Sequence, residues 1–245
     1  DNQEVLDTTL LAFRLAEDAK VLMPAMVCQD AFVLSHTMMQ TDVPTQEQVD
    51  AFLPELELPH RLTLEPRTMG GLDFPHETEV HRQQHHAAMG RVPEVYAQCQ
   101  DEFEQVFGRR PADRVVPYRM EDADVVLVSM GTTASTVKES VDRARERGLK
   151  VGSLRVRMFR PFPEDLLHEA LAGRAKVGVI DRDVSPGLGG ILWSELRGTV
   201  GRDTLVQGYM TGLGGGDVRA QHIDTILEDL LERSEPGLPS IMEVA

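Results

Sequence analysis

Two cysteines in 245 residues, Cys28 and Cys99, are too few for a disulfide framework or for the four thiolates of an iron–sulfur cluster, and neither belongs to a CxxC pair. The plain reading is a reduced, cytoplasmic setting with any redox centre held elsewhere. Cys28, inside the apolar run VLMPAMVC, is expected in the core. The chain also lacks a run of the about eighteen apolar residues that a membrane span needs, and no basic-apolar-small leader opens it. A membrane is therefore not an expected partner. Lysine is scarce: four of the 25 basic residues, the remaining 21 being arginine, a choice read as genome composition. Those 25 face 40 acidic residues, and the resulting charge of −15 excludes a broad phosphate-binding surface, so nucleic acid is not an expected partner either. GxSxG, HExxH, a P-loop lysine and a complete GxGxxG are all missing.

What is present is enough apolar residue, 41%, for a sizeable core in one large domain or two small ones. The chain opens at Asp1 in the middle of a helical pattern, with Val5, Leu6, Thr9, Leu10, Phe13 and Ala16 recurring at three and four. Val21 to Cys28 then reads as a buried strand. One helix cannot cover both faces of such a strand, so a preceding segment, missing or supplied by another chain, is expected. Residues 41–75 carry five prolines and a Gly-Gly pair and read as a surface connector with one short helix in VPTQEQVDAFL. Residues 76–108 read as a long helix that Pro93 kinks or splits, with Val95, Cys99, Phe103 and Phe107 spaced by four. Residues 109–120 read as a charged crossing.

From Glu121 the periods alternate between strand and helix, which predicts an α/β fold with an open, mostly parallel sheet and helices on both faces. Strands are expected near 124–129, 150–156, 176–181 and 204–209, with helices near 133–147, 163–172, 189–200 and 219–233. Ligands in such sheets meet the chain at the carboxyl ends of the strands, so the residues there are the candidates for function.

SMGTTAST, at 129–136, places Gly131, Thr132 and Thr133 between a strand and a helix. Free amides there suit an anion, and helix capping by Thr132 or Thr133 uses the same residues. RVRMFRPFP ends a strand in Arg155 and Arg157 followed by Arg160, a guanidinium cluster suited to a carboxylate, a phosphate or, with the better weight, acidic groups within the chain or on a partner. IDRD places Asp181, Arg182 and Asp183 at the next strand end. Carboxylates there suit bonds from neighbouring amides or arginines better than catalysis, because no His, Cys or Ser stands at a catalytic spacing. GLGGG, at 212–216, is expected to allow close backbone approach before a helix capped by Asp217. His81 and His85 share a helix face near Glu79 and His86, read as solvated rather than metal-binding. DAFVLSHT, at 30–37, brings Asp, Ser and His together without a nucleophile elbow and reads as packing and capping. No catalytic residue and no metal ligand are assigned.

In order along the chain, NQEVLDTTLLAFRLAE, VLMPAMVCQDAFVLSHT, VVLVSMGTTASTVKESVDRARERGLKVGSLRVRMFRPFP and VGVIDRDVSPGLGGILWSEL together resemble the alpha subunit of the 2-oxoacid:ferredoxin oxidoreductases. RMFRPFP with VIDRD is similar to the pyruvate type. The 2-oxoglutarate type has an Asn and a Gly-Gln pair where this chain has IDRD and GLGG, while an oxalate-using relative shares the pyruvate-type pattern.

The resemblance implies residues 1–40 as the C-terminal tail of a thiamine pyrimidine-binding domain, 41–120 as a connector with a long helix, and 121–245 as a domain like the transketolase C-terminal module. It also implies coenzyme A-dependent oxidative decarboxylation of a 2-oxoacid, with pyruvate foremost. Thiamine diphosphate with magnesium, coenzyme A and iron–sulfur clusters belong to the assembled enzyme, none held by this chain alone, and ferredoxin or flavodoxin is the electron acceptor. The implied partners are thiamine diphosphate-binding, gamma-type and ferredoxin-type subunits. The family's catalytic residues would precede Asp1, which leaves this chain as scaffold and interface. The alternative is an independent module that binds an anion or a coenzyme A-type ligand, or interacts, without catalysis.

Overall fold

The computed structural model describes residues 1–201 and 203–243, and the chain divides into two units: 1–29 with 37–111, and 30–36 with 112–245. The first unit is helical, with α1 (Asn2–Ala16), α2 (Gln46–Phe52) and α3 (Pro75–Phe107). Asp1 caps α1 by accepting from Glu4 N, and Thr45 and Gln48 form a reciprocal capping box on α2. Pro93 does not split α3, which runs through all 33 residues. A proline there removes one ladder bond, and buried Val92, Val95, Tyr96, Cys99 and Phe103 hold the turns on either side of it. Phe52, Phe103 and Phe107 stack at centroid distances of 4.4–5.4 Å, with the Arg109 guanidinium over the last two.

Two expectations for this unit fail. Val21 to Cys28 is not a strand, and Cys28 is exposed. A run apolar on both faces needs neighbouring strands, and among the described residues of this unit there is none. In α1 the buried residues are Asp7 and Leu11, while Phe13 of the expected apolar stripe is 53% exposed. The side of α1 that is covered is set by a charge pair: Arg109 holds both oxygens of Asp7, at 2.8 and 2.9 Å.

The second unit is built on a six-stranded sheet: β1 (Val115–Tyr118), β2 (Val125–Met130), β3 (Val151–Val156), β4 (Lys176–Asp181), β5 (Leu205–Thr211) and β6 (Ser240–Met242), in the order β1-β3-β2-β4-β5-β6. All pairs are parallel except β1 with β3. The four expected strands lie within one or two residues of their expected places. β1 replaces part of the expected crossing, and β6 was not foreseen. Pro117 fits because β1 is an edge strand and needs to donate on one side only.

Four helices cover the sheet: α4 (Thr133–Glu146), α5 (Glu164–Leu171), α6 (Ile191–Leu196) and α7 (Ala220–Glu232). Strand periodicity divides them between the faces. Val126, Val128, Leu154, Val156, Val177 and Val179 pack with Leu167, Leu171, Leu192 and Leu196 of α5 and α6. Val125, Leu127, Val151, Ile180 and Tyr209 pack with α4 and α7 through Val137, Val141, Ile223, Ile226, Leu227 and Leu230.

Polar groups pin the edges of these layers. Arg114 grips Asp165 with both terminal nitrogens, at 3.2 and 2.8 Å, and holds that carboxyl below its ordinary pKa. Lys176 Nζ donates to the last-turn carbonyls of Leu230 and Leu231, closing the C-terminus of α7. Tyr209 is fully buried, and its hydroxyl donates to Asp229 at 2.6 Å. Tyr209→Phe is expected to lower the unfolding free energy by about 1.5–3 kcal/mol, the range for a hydrogen bond to a charged acceptor. Urea titration checks this, and an unchanged midpoint would show the bond to be without net value.

Candidate functional site

After β2 the chain crosses to β3 on one side, then returns to β4 on the other side of β2. The strand order therefore reverses around β2, and the crevice at the carboxyl ends of β2 and β4 is the topological switch point. The turn Met130-Gly131-Thr132 and the IDRD segment meet there. The expected caps Thr132 and Thr133 make no side-chain cap on α4. A carboxylate does the work instead: Asp30 Oδ2 accepts from Thr132 N at 2.6 Å, and its Oδ1 lies 3.5 Å from Arg182 Nη1. Arg182 is steadied from behind by Gly216 O at 3.3 Å. The capping role expected for the 30–37 segment is thus exerted 102 positions away in sequence.

Asp181 and Asp183 turn to α6. Asp181 accepts from Leu192 N at 2.9 Å and Trp193 N at 3.1 Å, and Asp183 accepts from Ile191 N at 3.0 Å. Together they satisfy three of the orphan amides that open a helix. Asp181 is 2% exposed, and burial pushes its carboxyl up to about 6 against the pull of the two amides. The carboxylate sits in the space a side chain at Gly190 would fill.

The three arginines of RVRMFRPFP lie in β3 and in the segment that follows it. Arg155 lies within β3, in register with Val116 and Ser129. Arg157 Nη1 donates to Ala112 O at 2.8 Å, and Arg160 lies over the Phe159 ring and pairs with Glu195. Thr133 is buried, and its hydroxyl, like that of Ser129, finds no hydrogen-bond partner among the described residues.

The other motifs resolve locally. Asp217 does not cap α7, whose N-cap is Arg219; Asp217 pairs with the Arg219 side chain at 2.8 Å. His81 faces Asp73 at 2.8 Å, and Ser35 Oγ lies 2.7 Å from His36 Nδ1. Burial drives the Cys99 thiol up to about 11, away from a reactive thiolate. Among the described residues no three His, Cys, Asp or Glu side chains gather to hold a metal ion, and no helix is long and apolar enough to cross a membrane.

The family described as pyruvate flavodoxin/ferredoxin oxidoreductase, thiamine diphosphate-binding, matches residues 1–101, and the pyruvate:ferredoxin oxidoreductase core domain II matches residues 123–223. Pyruvate synthase subunit PorA of Methanothermobacter thermautotrophicus is 40% identical over 226 residues, covering 92% of this chain and 58% of the relative. The same subunit of Thermotoga maritima is 42% identical over 235 residues, covering 94% and 60%. Ketoisovalerate oxidoreductase subunit VorA of Pyrococcus abyssi is 36% identical over 242 residues, covering 97% and 61%. The chain spans about three fifths of the length of these relatives.

Proposed function

This chain belongs to the 2-oxoacid:ferredoxin oxidoreductase family, and from that premise we propose that it acts as part of the alpha subunit of a pyruvate-type enzyme. The observation that carries the reading is the ordered match of two family domains, over residues 1–101 and 123–223, together with 40% identity to a pyruvate synthase subunit. The assembled enzyme would oxidatively decarboxylate a 2-oxoacid with thiamine diphosphate and magnesium, pass the acyl group to coenzyme A, and send electrons through iron–sulfur clusters to ferredoxin or flavodoxin. Pyruvate stands first as substrate. A branched 2-oxoacid stands second, on the likeness to a ketoisovalerate oxidoreductase subunit. The proposed division of the chain is 1–40 with the thiamine pyrimidine-binding domain, 41–120 as connector and 121–245 as the transketolase-like domain.

Within that assembly the chain serves as scaffold and subunit interface. Its described residues offer no three-ligand set for a magnesium ion, and its two cysteines fall short of the four thiolates a cluster needs. No chemical step is assigned to its own side chains in this reading, the catalytic groups being expected from other parts of the assembly. What favours contact with other subunits is apolar surface. Leu62 and Leu64 of the segment between α2 and α3 are 78% and 106% exposed, and Leu72 and Phe74 later in the same segment are exposed as well. Large apolar side chains left exposed in this way favour a role in association.

Reconstitution tests the proposal. The chain is mixed with the purified thiamine diphosphate-binding, gamma-type and ferredoxin-type subunits of such an enzyme, with no other alpha subunit present. Co-purification is expected, with coenzyme A-dependent dye reduction on pyruvate or 2-oxoisovalerate no higher than without the chain. Failure to associate overturns the subunit reading, and strong pyruvate-dependent reduction overturns the scaffold role.

A further inference from the structure

We propose that the corner formed by Thr132 N and Arg182 at the switch point is an oxyanion-binding site, and that Asp30 fills it as an internal ligand which external oxyanions displace. Four observations place the site. The amide at the start of the 14-residue α4 points at a carboxylate oxygen 2.6 Å away, and a guanidinium faces the other oxygen at 3.5 Å. An amide at the positive end of a helix, together with an arginine, is the arrangement that recognises phosphate and carboxylate oxygens. Gly131 stands at φ +60° with no side chain, and a Cβ there would lie 2.6 Å from Asp30 Oδ2, so the turn is open where the anion sits. The hydroxyls of Ser129 and Thr133, two residues to either side of Gly131, belong to residues 0% and 4% exposed and have no hydrogen-bond partner among the described residues. Buried hydroxyls are rarely left so, and a ligand with three or more oxygens, such as phosphate, supplies acceptors beyond the two that the Asp30 carboxylate already commits to Thr132 N and Arg182.

Asp30 is suited to being displaced. It opens the segment 30–36, which belongs with this unit although the residues on either side of it do not. Phe32 and Val33 in that segment are 72% and 52% exposed, and Phe32 holds φ +62°, an uncommon conformation for a bulky residue. The segment thus has little buried apolar surface to keep it in place once its carboxylate leaves the corner.

The test is a titration of the ¹⁵N-labelled 245-residue chain with sodium phosphate and, separately, sodium acetate, with sodium chloride matched for ionic strength. Asp30→Ala empties the corner, and Asp30→Asn provides a near-isosteric variant should the alanine chain not fold. With the internal ligand gone, phosphate is expected to shift the Thr132 amide saturably and at a concentration about tenfold lower than in the wild type, because occupancy by Asp30 no longer reduces the competent fraction. Adding Arg182→Gln is expected to abolish the response. In the wild type, phosphate is expected to speed amide exchange in residues 31–36. A response to acetate as strong as that to phosphate assigns the corner to carboxylates, and a response to phosphate alone assigns it to phosphoryl groups. The proposal is overturned if both anions leave Thr132 unmoved in both variants, if chloride reproduces the shifts, or if Arg182→Gln leaves them intact. The titration uses the chain alone, so its result is separate from that of subunit reconstitution.

Discussion

Gly190→Ala is expected to lower the unfolding free energy of the second unit by about 3–5 kcal/mol, the scale of a severe core insertion combined with loss of a buried hydrogen-bonded carboxylate. Its backbone, at φ −69° and ψ 149°, is open to any residue, so strain in the main chain is not the cause. Contact is. An added Cβ would fall 2.0 Å from Asp181 Oδ2 and 2.2 Å from its Cγ. Asp181 cannot swing aside without releasing Leu192 N and Trp193 N, and those amides are buried. Either the start of α6 lifts from the sheet, exposing Leu192, Trp193 and Leu196, or the carboxylate loses both partners. Urea unfolding followed by the fluorescence of Trp193, the single tryptophan, reports on this place directly. A midpoint within error of the wild type would show that the α6 start is not held by Asp181.

The second large effect is on pH dependence and comes from the same carboxyl. Its pKa is raised from 3.8 to about 6, first by desolvation, and the two amides only partly oppose this. The native state therefore binds the proton more tightly than the unfolded chain does. The sign follows from proton linkage: stability falls as pH rises from about 4 to 6, because the unfolded carboxyl ionises first, and it levels off above 6. Two pKa units correspond to about 3 kcal/mol. Asp181→Asn removes the titration while keeping the shape, so the difference in unfolding free energy between wild type and variant is expected to shift by that amount between pH 4 and pH 7, with the wild type gaining toward acid. Parallel curves across this range would refute the raised pKa.

Much of the second unit is legible in the sequence. VVLVSM, VGSLRV, KVGVID and LVQGYMT are each a short apolar run bounded by turn or charged residues, and parallel strands buried on both faces take that form. The edge strands are less legible for a physical reason. β1 carries a proline and lies beside charged residues, and β6 is three residues long, so neither shows a continuous apolar run. In the first unit, Val21 to Cys28 has the composition of a buried strand yet forms none, since pairing partners decide the state of such a run and this unit offers none among its described residues. The stripe on α1 misled similarly: a part-buried Arg109–Asp7 pair, joining residues 102 apart, fixes Asp7 on the covered side of the helix.

For the candidate site, the sequence alone determined the strand ends, the residue types gathered there and the kinship with an oxidoreductase family, because strand periodicity and ordered motifs are properties of neighbouring residues. Which of those groups meet was decided only in three dimensions. Asp30 reaches Thr132 and Arg182, Asp181 accepts from the amides of α6, and Arg157 and Arg160 reach Ala112 and Glu195. Each outcome depends on distances between segments far apart in the chain and on how fully water is removed around a charge. Neither quantity is written in local sequence.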